Sequence, residues 1–167
     1  GNTTTYVYSS DERTTTVTQP TGATQITVTD TAGRPISLSG TAVAPRFYTY
    51  GVNADLSAGQ AGGTRWTQVF NGTDATAPAW TRMTEDMVGR TIREEKPGFP
   101  AMSGAEGGNT LLATTYTHDN GGRVLNQTQN VISGSVSSVL SVDLSTYDRY
   151  GAKIFSALDV NQNGVID

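Results

Sequence analysis

The stretch Asp119-Asn120-Gly121-Gly122-Arg123 is one of four occurrences of an Asp-x-x-Gly pattern in this chain. The other three begin at Asp30, Asp86 and Asp148, and three of the four carry Arg directly after the Gly. An aliphatic residue stands three positions after every Gly: Ile36, Ile92, Leu125 and Ile154. A turn that joins two strands repeats such offsets, so the pattern predicts a series of β-hairpins.

The two fixed residues have separate parts in the predicted turn. An Asp at the first position accepts hydrogen bonds from backbone N–H groups two residues on. A Gly at the fourth position adopts the left-handed conformation that closes a type I turn with a G1 bulge at no steric cost. We therefore interpret four pairs as structural turns and not as acidic sites: Asp30 with Gly33, Asp86 with Gly89, Asp119 with Gly122 and Asp148 with Gly151.

Composition excludes several classes of function. The 167 residues have a net charge of −4, and their 11 basic residues are scattered, so nucleic acid is not expected as a partner. Cysteine is absent, which excludes disulfides, thiolate metal sites and cysteine nucleophiles. No apolar run approaches the ~20 residues of a membrane helix, so no membrane insertion is expected. The abundant Thr and Tyr favour β-structure with a thin core.

The segments between the turns alternate as half-buried strands do. Thr24 to Thr29, for example, places Ile26 and Val28 on one face. The distance between successive turn aspartates varies along the chain, which argues against a solenoid of fixed period. The sequence therefore predicts an all-β fold of consecutive antiparallel hairpins in a curved sheet strip, without substantial helix, over residues 1–158.

The residues around the turns resemble a known repeat family. Tyr116–Arg123, Tyr147–Gly151 and Thr29–Arg34 are similar to the YD repeats of bacterial RHS proteins, which also occur in the teneurins. Trp80 to Arg90, followed by Pro97-Gly98-Phe99, resembles linking sequence of large bacterial RHS-repeat surface proteins. The resemblance extends over nearly the whole chain.

Three positions depart from the family pattern. Glu85 and His118 stand where Tyr often precedes the Asp, and Ala152 stands where Arg follows the Gly. These departures concern individual repeats and leave the set of four recognisable.

The resemblance implies a long strip of hairpins that spirals into a hollow shell, which encloses a C-terminal toxin or acts as a cell-surface scaffold. This chain would be a segment of that wall, excised from a longer secreted or cell-surface protein and without enzymatic activity. Its expected partners are neighbouring repeats of the parent protein, with surface glycans or an encapsulated toxin as further candidates. The alternative is a ligand-binding or adhesive β module that binds carbohydrate, with or without calcium.

The last nine residues, 159–167, form a separate segment with the spacing of a truncated calcium loop. Asp159, Asn161, Asn163 and Asp167 occupy positions 1, 3, 5 and 9 of a loop of EF-hand or dockerin type, with Gly164 at position 6. Short oxygen-bearing side chains at alternate positions and a Gly for the sharp turn are what calcium needs. The acid at position 12 is missing, so a solvated Asn-Gly turn without metal is the alternative interpretation.

Other polar groups receive structural interpretations. His118, the one histidine, precedes a turn aspartate and is expected at a hairpin end. Glu94 and Glu95 together with Asp86 could suggest a glycosidase carboxylate pair. Adjacent glutamates on a strand point to opposite faces, however, so a solvated edge strand is the expectation.

Five aromatic residues have two alternative interpretations, as a sugar-binding surface or as part of the core. Flat rings stack on the apolar faces of sugars, so they could form a carbohydrate platform, or they could supply the core. An exposed, coplanar tryptophan pair would favour sugar binding, and buried tryptophans would favour a scaffold. The residues concerned are Tyr48, Tyr50, Trp66, Phe70 and Trp80.

Overall fold

The computed structural model describes residues 3–53, 63–98 and 110–165. Within these ranges the chain forms strands and turns without any helix, so no described segment offers a membrane-spanning helix. The strands are β1 (Thr5–Tyr8), β2 (Thr14–Thr18), β3 (Thr24–Thr29), β4 (Pro35–Ser39), β5 (Arg46–Asn53), β6 (Thr64–Phe70), β7 (Trp80–Glu85), β8 (Thr91–Pro97), β9 (Leu111–His118), β10 (Val124–Ser133), β11 (Val136–Tyr147) and β12 (Lys153–Leu158).

The strands lie side by side in chain order, from β1 to β12. Every strand pair with a defined register is antiparallel. Short connections suit this order because an antiparallel pair needs only a hairpin turn. The predicted all-β class and the succession of antiparallel hairpins are therefore confirmed.

The chain divides into two compact units. Unit 1 comprises Gly1–Gly51 and Thr67–Thr81, and unit 2 comprises Val52–Trp66 and Arg82–Asp167. Unit 1 contains the Asp30 turn, and unit 2 contains the other three Asp-x-x-Gly turns.

Each Asp-x-x-Gly turn is accompanied by an irregularity in its own hairpin. The register shifts lie at the turn ends of the strands, between Val28 and Thr29, Thr84 and Glu85, Val124 and Asn126, and Thr146 and Tyr147. A G1 bulge adds one residue to one strand, so a shift beside the turn is its expected signature. The predicted turn type is thus consistent with the observed pairing.

The hydrophobic core is thin in both units. Phe70 of unit 1 is 7 % exposed, and its ring lies 6.3 Å from that of Phe47. Unit 2 buries Ala113, Val142 and Leu144, of which Ala113 is 2 % exposed. These four are the buried apolar residues of the described chain, so hydrogen bonds within and between hairpins take on a larger share of the stability.

Two glycines of unit 1 are needed for different reasons, one for its backbone conformation and the other because there is no space for a Cβ. Gly33 has φ +78° and open space around a would-be Cβ, so Gly33→Ala should cost only the left-handed penalty of about 1–2 kcal/mol. Gly40 has φ +121°, and a Cβ there would lie 2.2 Å from the Thr24 carbonyl oxygen. Gly40→Ala should therefore lower the urea midpoint several-fold more than Gly33→Ala, and equal losses would contradict this packing.

Candidate functional site

The four Asp-x-x-Gly turns are closed by the same pair of backbone hydrogen bonds. In the third turn the Gly122 N–H donates to the Asp119 carbonyl at 3.0 Å, and the Asp119 N–H donates to the Arg123 carbonyl at 2.9 Å. The equivalent bonds in the other three turns measure 2.8–3.1 Å. The glycines have φ between +78° and +90°, as a G1 bulge requires.

The aspartate side chain completes each turn. In the third turn Asp119 Oδ1 accepts the N–H groups of Gly121 at 2.8 Å and Arg123 at 2.9 Å. The other three carboxylates make the same two bonds, from Ala32 and Arg34 to Asp30, from Val88 and Arg90 to Asp86, and from Tyr150 and Ala152 to Asp148. The structure therefore places all eight predicted turn residues in the predicted geometry.

The arginine after the glycine occupies the second carboxylate oxygen. Its Nε donates to the aspartate Oδ2 at 2.8 Å in the Asp30 turn, 2.7 Å in the Asp86 turn and 2.6 Å in the Asp119 turn. The Asp148 turn has Ala152 at this position, so this ion pair is missing there.

These bonds lower the pKa of three turn carboxyls. The pKa values of Asp30, Asp86 and Asp119 lie below the ordinary aspartate value, chiefly because the backbone N–H of the following Arg donates to the carboxylate. Partial desolvation opposes the shift, and the hydrogen bond from the arginine side chain adds to it. The carboxylates are therefore held in the charged form that the turn needs.

In unit 2 the same arginines connect one turn to the next. Arg90 Nη1 donates to the Asp119 carbonyl at 3.3 Å, and Arg123 Nη1 donates to the Asp148 carbonyl at 3.5 Å. We call this series of three turns, at Asp86, Asp119 and Asp148, the arginine ladder. It adds side-chain bonds between hairpins that the backbone pairing of β8 with β9 and of β10 with β11 already connects.

Tyrosines pack on two of the turn arginines. The Arg123 guanidinium lies 4.9 Å from the ring centroid of Tyr147, whose hydroxyl donates to the Val124 carbonyl at 2.9 Å. In unit 1 the Arg34 guanidinium lies 4.5 Å from the ring of Tyr50, whose hydroxyl donates to the Pro35 carbonyl at 2.7 Å. In both cases the tyrosine covers the arginine and binds the residue after it.

Sequence inspection missed part of this arrangement. Tyr147 immediately precedes a turn aspartate, whereas Tyr50 does not, so no local pattern linked Tyr50 to Arg34. Residues 19–22 also form the same backbone turn without an aspartate, since the Gly22 N–H donates to the Gln19 carbonyl at 2.9 Å. Pro20-Thr21-Gly22 carries no aspartate that would mark this geometry in the sequence.

The connection between β1 and β2 is a further tight turn. The Glu12 N–H donates to the Ser9 carbonyl at 3.0 Å, and Glu12 adopts φ +59° where the other turns have glycine. Ser9 Oγ accepts the Thr14 N–H at 2.9 Å, which is a hydroxyl counterpart of the turn carboxylates.

The C-terminal segment folds as a compact turn around Asp159. This side chain is 4 % exposed, and its two carboxylate oxygens accept the N–H groups of Asn163 at 3.1 Å and Gly164 at 2.7 Å. Asn161 Oδ1 also accepts the Asn163 N–H at 3.1 Å. Asp167, the remaining predicted ligand, lies outside the described residues. No group of three acidic or histidine side chains suited to a metal occurs in the part of the chain that the structure describes.

The predicted aromatic set is divided between the two units. Trp66 belongs to unit 2, and the other four aromatic residues belong to unit 1. One face of Trp66 is covered by the Arg82 guanidinium, 4.1 Å from the ring. Phe70 is buried, and both tryptophans are half-buried. The contacts favour a packing role for Phe70 and Trp66.

The expectation of a solvated edge at Glu94 and Glu95 is wrong. Their strand, β8, pairs with β7 on one side and β9 on the other. Glu95 is only 13 % exposed and forms an ion pair with Arg93 at 2.7 Å. Asp86 remains bound in its own turn, and His118 lies at the end of β9 opposite Val124, at the predicted hairpin end.

Asp119→Asn and Asp148→Asn form a matched pair for the ion pair in the turn. An asparagine keeps the Oδ1 acceptor but leaves the arginine Nε without its carboxylate, so Asp119→Asn should be the more destabilising at neutral pH. Because the pKa of Asp119 is lowered when the chain is folded, its stabilisation is fully present above the ordinary aspartate pKa of about 4 and is lost as the pH falls below that value toward the lowered pKa of the folded chain.

Thermal melts at a series of pH values measure both effects. Asp119→Asn should show a smaller fall in Tm between neutral and acidic pH than the parent chain, and at neutral pH it should melt at a lower temperature than Asp148→Asn. Equal melting curves for the two variants at every pH would contradict an energetic role for the arginine bridge.

The C-terminal turn gives a separate prediction. Asp159→Ala removes two hydrogen bonds of a buried carboxylate, so it should cost about 1–3 kcal/mol of unfolding free energy. The loss should be the same with calcium and with chelator, because the described loop already satisfies both carboxylate oxygens. A calcium-dependent rise in Tm that Asp159→Ala abolishes would show a metal site instead.

Comparison with known proteins assigns no family. No protein-family model matches this chain, and no curated protein sequence matches it. The similarity to YD repeats therefore depends on the turn residues and their spacing, and it contributes to the function proposed next.

Proposed function

We propose that this chain is a structural scaffold segment of a secreted or cell-surface protein of the RHS/YD-repeat type, without enzymatic activity of its own. The observation that supports this most strongly is the repeated use of one turn, in which Asp, Gly and Arg have the same bonds at Asp30, Asp86 and Asp119. A repeated local unit is typical of proteins whose hairpins stack to build a wall.

The bonding of the turn aspartates supports the proposal further. In all four repeats the carboxylate accepts two backbone N–H groups, and in three it also binds a guanidinium. A carboxylate occupied in this way is unsuited to act as a general base or as an open metal ligand. The hydrogen bonds of the turn carboxylates thus serve to fix the backbone of each turn.

The arginine ladder adds side-chain bonds between hairpins to the backbone pairing of β8 with β9 and of β10 with β11. In repeat proteins the stability is approximately a sum of repeat terms and nearest-neighbour interface terms. Bonds from Arg90 and Arg123 to the next turn are interface terms of this kind. A scaffold needs such terms because the core of each hairpin is small.

Within this proposal the partners are neighbouring hairpin repeats of the parent protein. An enclosed toxin is a further candidate that depends on the family resemblance. A carbohydrate platform made from Trp66 and Trp80 is not favoured, because Arg82 covers one face of Trp66.

Hydrogen–deuterium exchange tests the structural role of the ladder. Arg123→Gln should increase exchange in its own turn, residues 119–122, and also in the next turn, residues 148–151, because both lose a bond from the guanidinium. Arg149→Gln is the matched control, since Arg149 packs on Tyr150 and takes no part in the ladder. An effect of Arg123→Gln confined to residues 119–122, or no effect, would contradict the proposed coupling of hairpins.

A further inference from the structure

A polar notch lies on one face of β10, β11 and β12 in unit 2, beside the hydrogen bond from Tyr147 to the Val124 carbonyl. It has a volume of about 450 Å³. Its lining includes Gln127, Asp143, Ser145, Tyr147, Lys153 and Ser156. We call it the β10–β12 notch.

The strand register explains the shape of the notch. Ser145 lies opposite Ser156, and their hydroxyl oxygens are 3.4 Å apart, so two small side chains form the floor. Larger side chains stand on either side along the same strand face, with Tyr147 opposite Lys153 at one end and Asp143 opposite Gln127 at the other. A row of small residues between rows of large ones produces a concave surface.

Asp143 differs from the other aspartates that the structure describes. Each of the other seven accepts at least one hydrogen bond. Asp143 is half-buried in the middle of β11, and its side chain has no hydrogen-bond or ion-pair partner among the described residues. Aspartate is disfavoured within strands. An aspartate inside a strand that makes no stabilising bond is expected at a functional position.

Two further polar groups of the notch have unused hydrogen-bonding capacity. The Lys153 ammonium lies 6.0 Å from the ring centroid of Tyr147 and forms no ion pair within the described chain. The Gln127 amide likewise has no partner there, although it lies opposite Asp143. The notch therefore presents one acceptor-only group, one donor-only group and groups that do both.

From this combination we infer that the β10–β12 notch binds a neutral saccharide. A carboxylate accepts hydrogen bonds from adjacent ring hydroxyls, while an ammonium, an amide and two serine hydroxyls can bind the remaining ring oxygens. The charges of Asp143 and Lys153 cancel, so a charged ligand would meet a like charge and a neutral polyol would not. A volume of about 450 Å³ lies within the range of small-molecule sites. This binding is additional to the scaffold role and does not depend on it.

An amide NMR titration of the intact chain with glucose, galactose, mannose and N-acetylglucosamine tests the inference. At least one sugar should shift amide signals of residues 124–127, 143–147 and 153–156. Asp143→Asn removes the charged acceptor and should weaken that binding roughly tenfold or more. Lys153→Gln should also weaken it, whereas Lys96→Gln, which changes the chain's other lysine at an exposed position on β8, should leave it unchanged.

Three outcomes would overturn the inference. They are the absence of shifts with every sugar, the same shifts with glycerol alone (an adventitious additive only), and unchanged affinity in Lys153→Gln. Since Lys153 is exposed, Lys153→Gln decides the matter even if Asp143→Asn fails to fold. The scaffold proposal is tested separately, by hydrogen–deuterium exchange in the Arg123→Gln variant, so either proposal can fail without the other.

Discussion

The hydrogen bonds from backbone N–H groups to the turn carboxylates are the interaction on which the rest of this structure depends. The end of a hairpin leaves N–H groups that no neighbouring strand can accept, and an unpaired polar group away from water is costly. Asp119 accepts two of them with one oxygen and thereby fixes the turn and the bulge beside it. The bulge in turn sets which side chains of β9 and β10 face the same side of the sheet.

The carboxylates matter more here because apolar burial is so limited. Four buried apolar residues in the described chain are a small core for twelve strands. The second oxygen of each of three turn aspartates binds an arginine, and in unit 2 two such arginines also reach the following turn. The same charged group thus stabilises a single hairpin and its link to the next. The Asp148 carbonyl accepts a hydrogen bond from Arg123. Because Ala152 follows the glycine of this turn, no arginine extends the series further.

The parts of this fold that could be predicted from sequence are those determined within a few residues. Asp and Gly three positions apart specify a turn by their own chemistry, so all four turns were predictable. The Arg34–Tyr50 contact and the burial of Glu95 depend on which strands become neighbours, and short patterns do not contain that information. Asp143 was missed for a related reason. Its isolation becomes visible only when the bonds of every other described aspartate are known.

Titration of the aspartate side-chain carboxyls by carbon-detected NMR is the most direct measurement of the central claim. The carboxyl signals of Asp30, Asp86 and Asp119 should titrate with pKa values below the ordinary aspartate value, because backbone N–H groups and a guanidinium stabilise the charged form. Ordinary pKa values at all three positions would show that the carboxylates are not held in the turns, and would contradict the claim that these bonds organise the sheet.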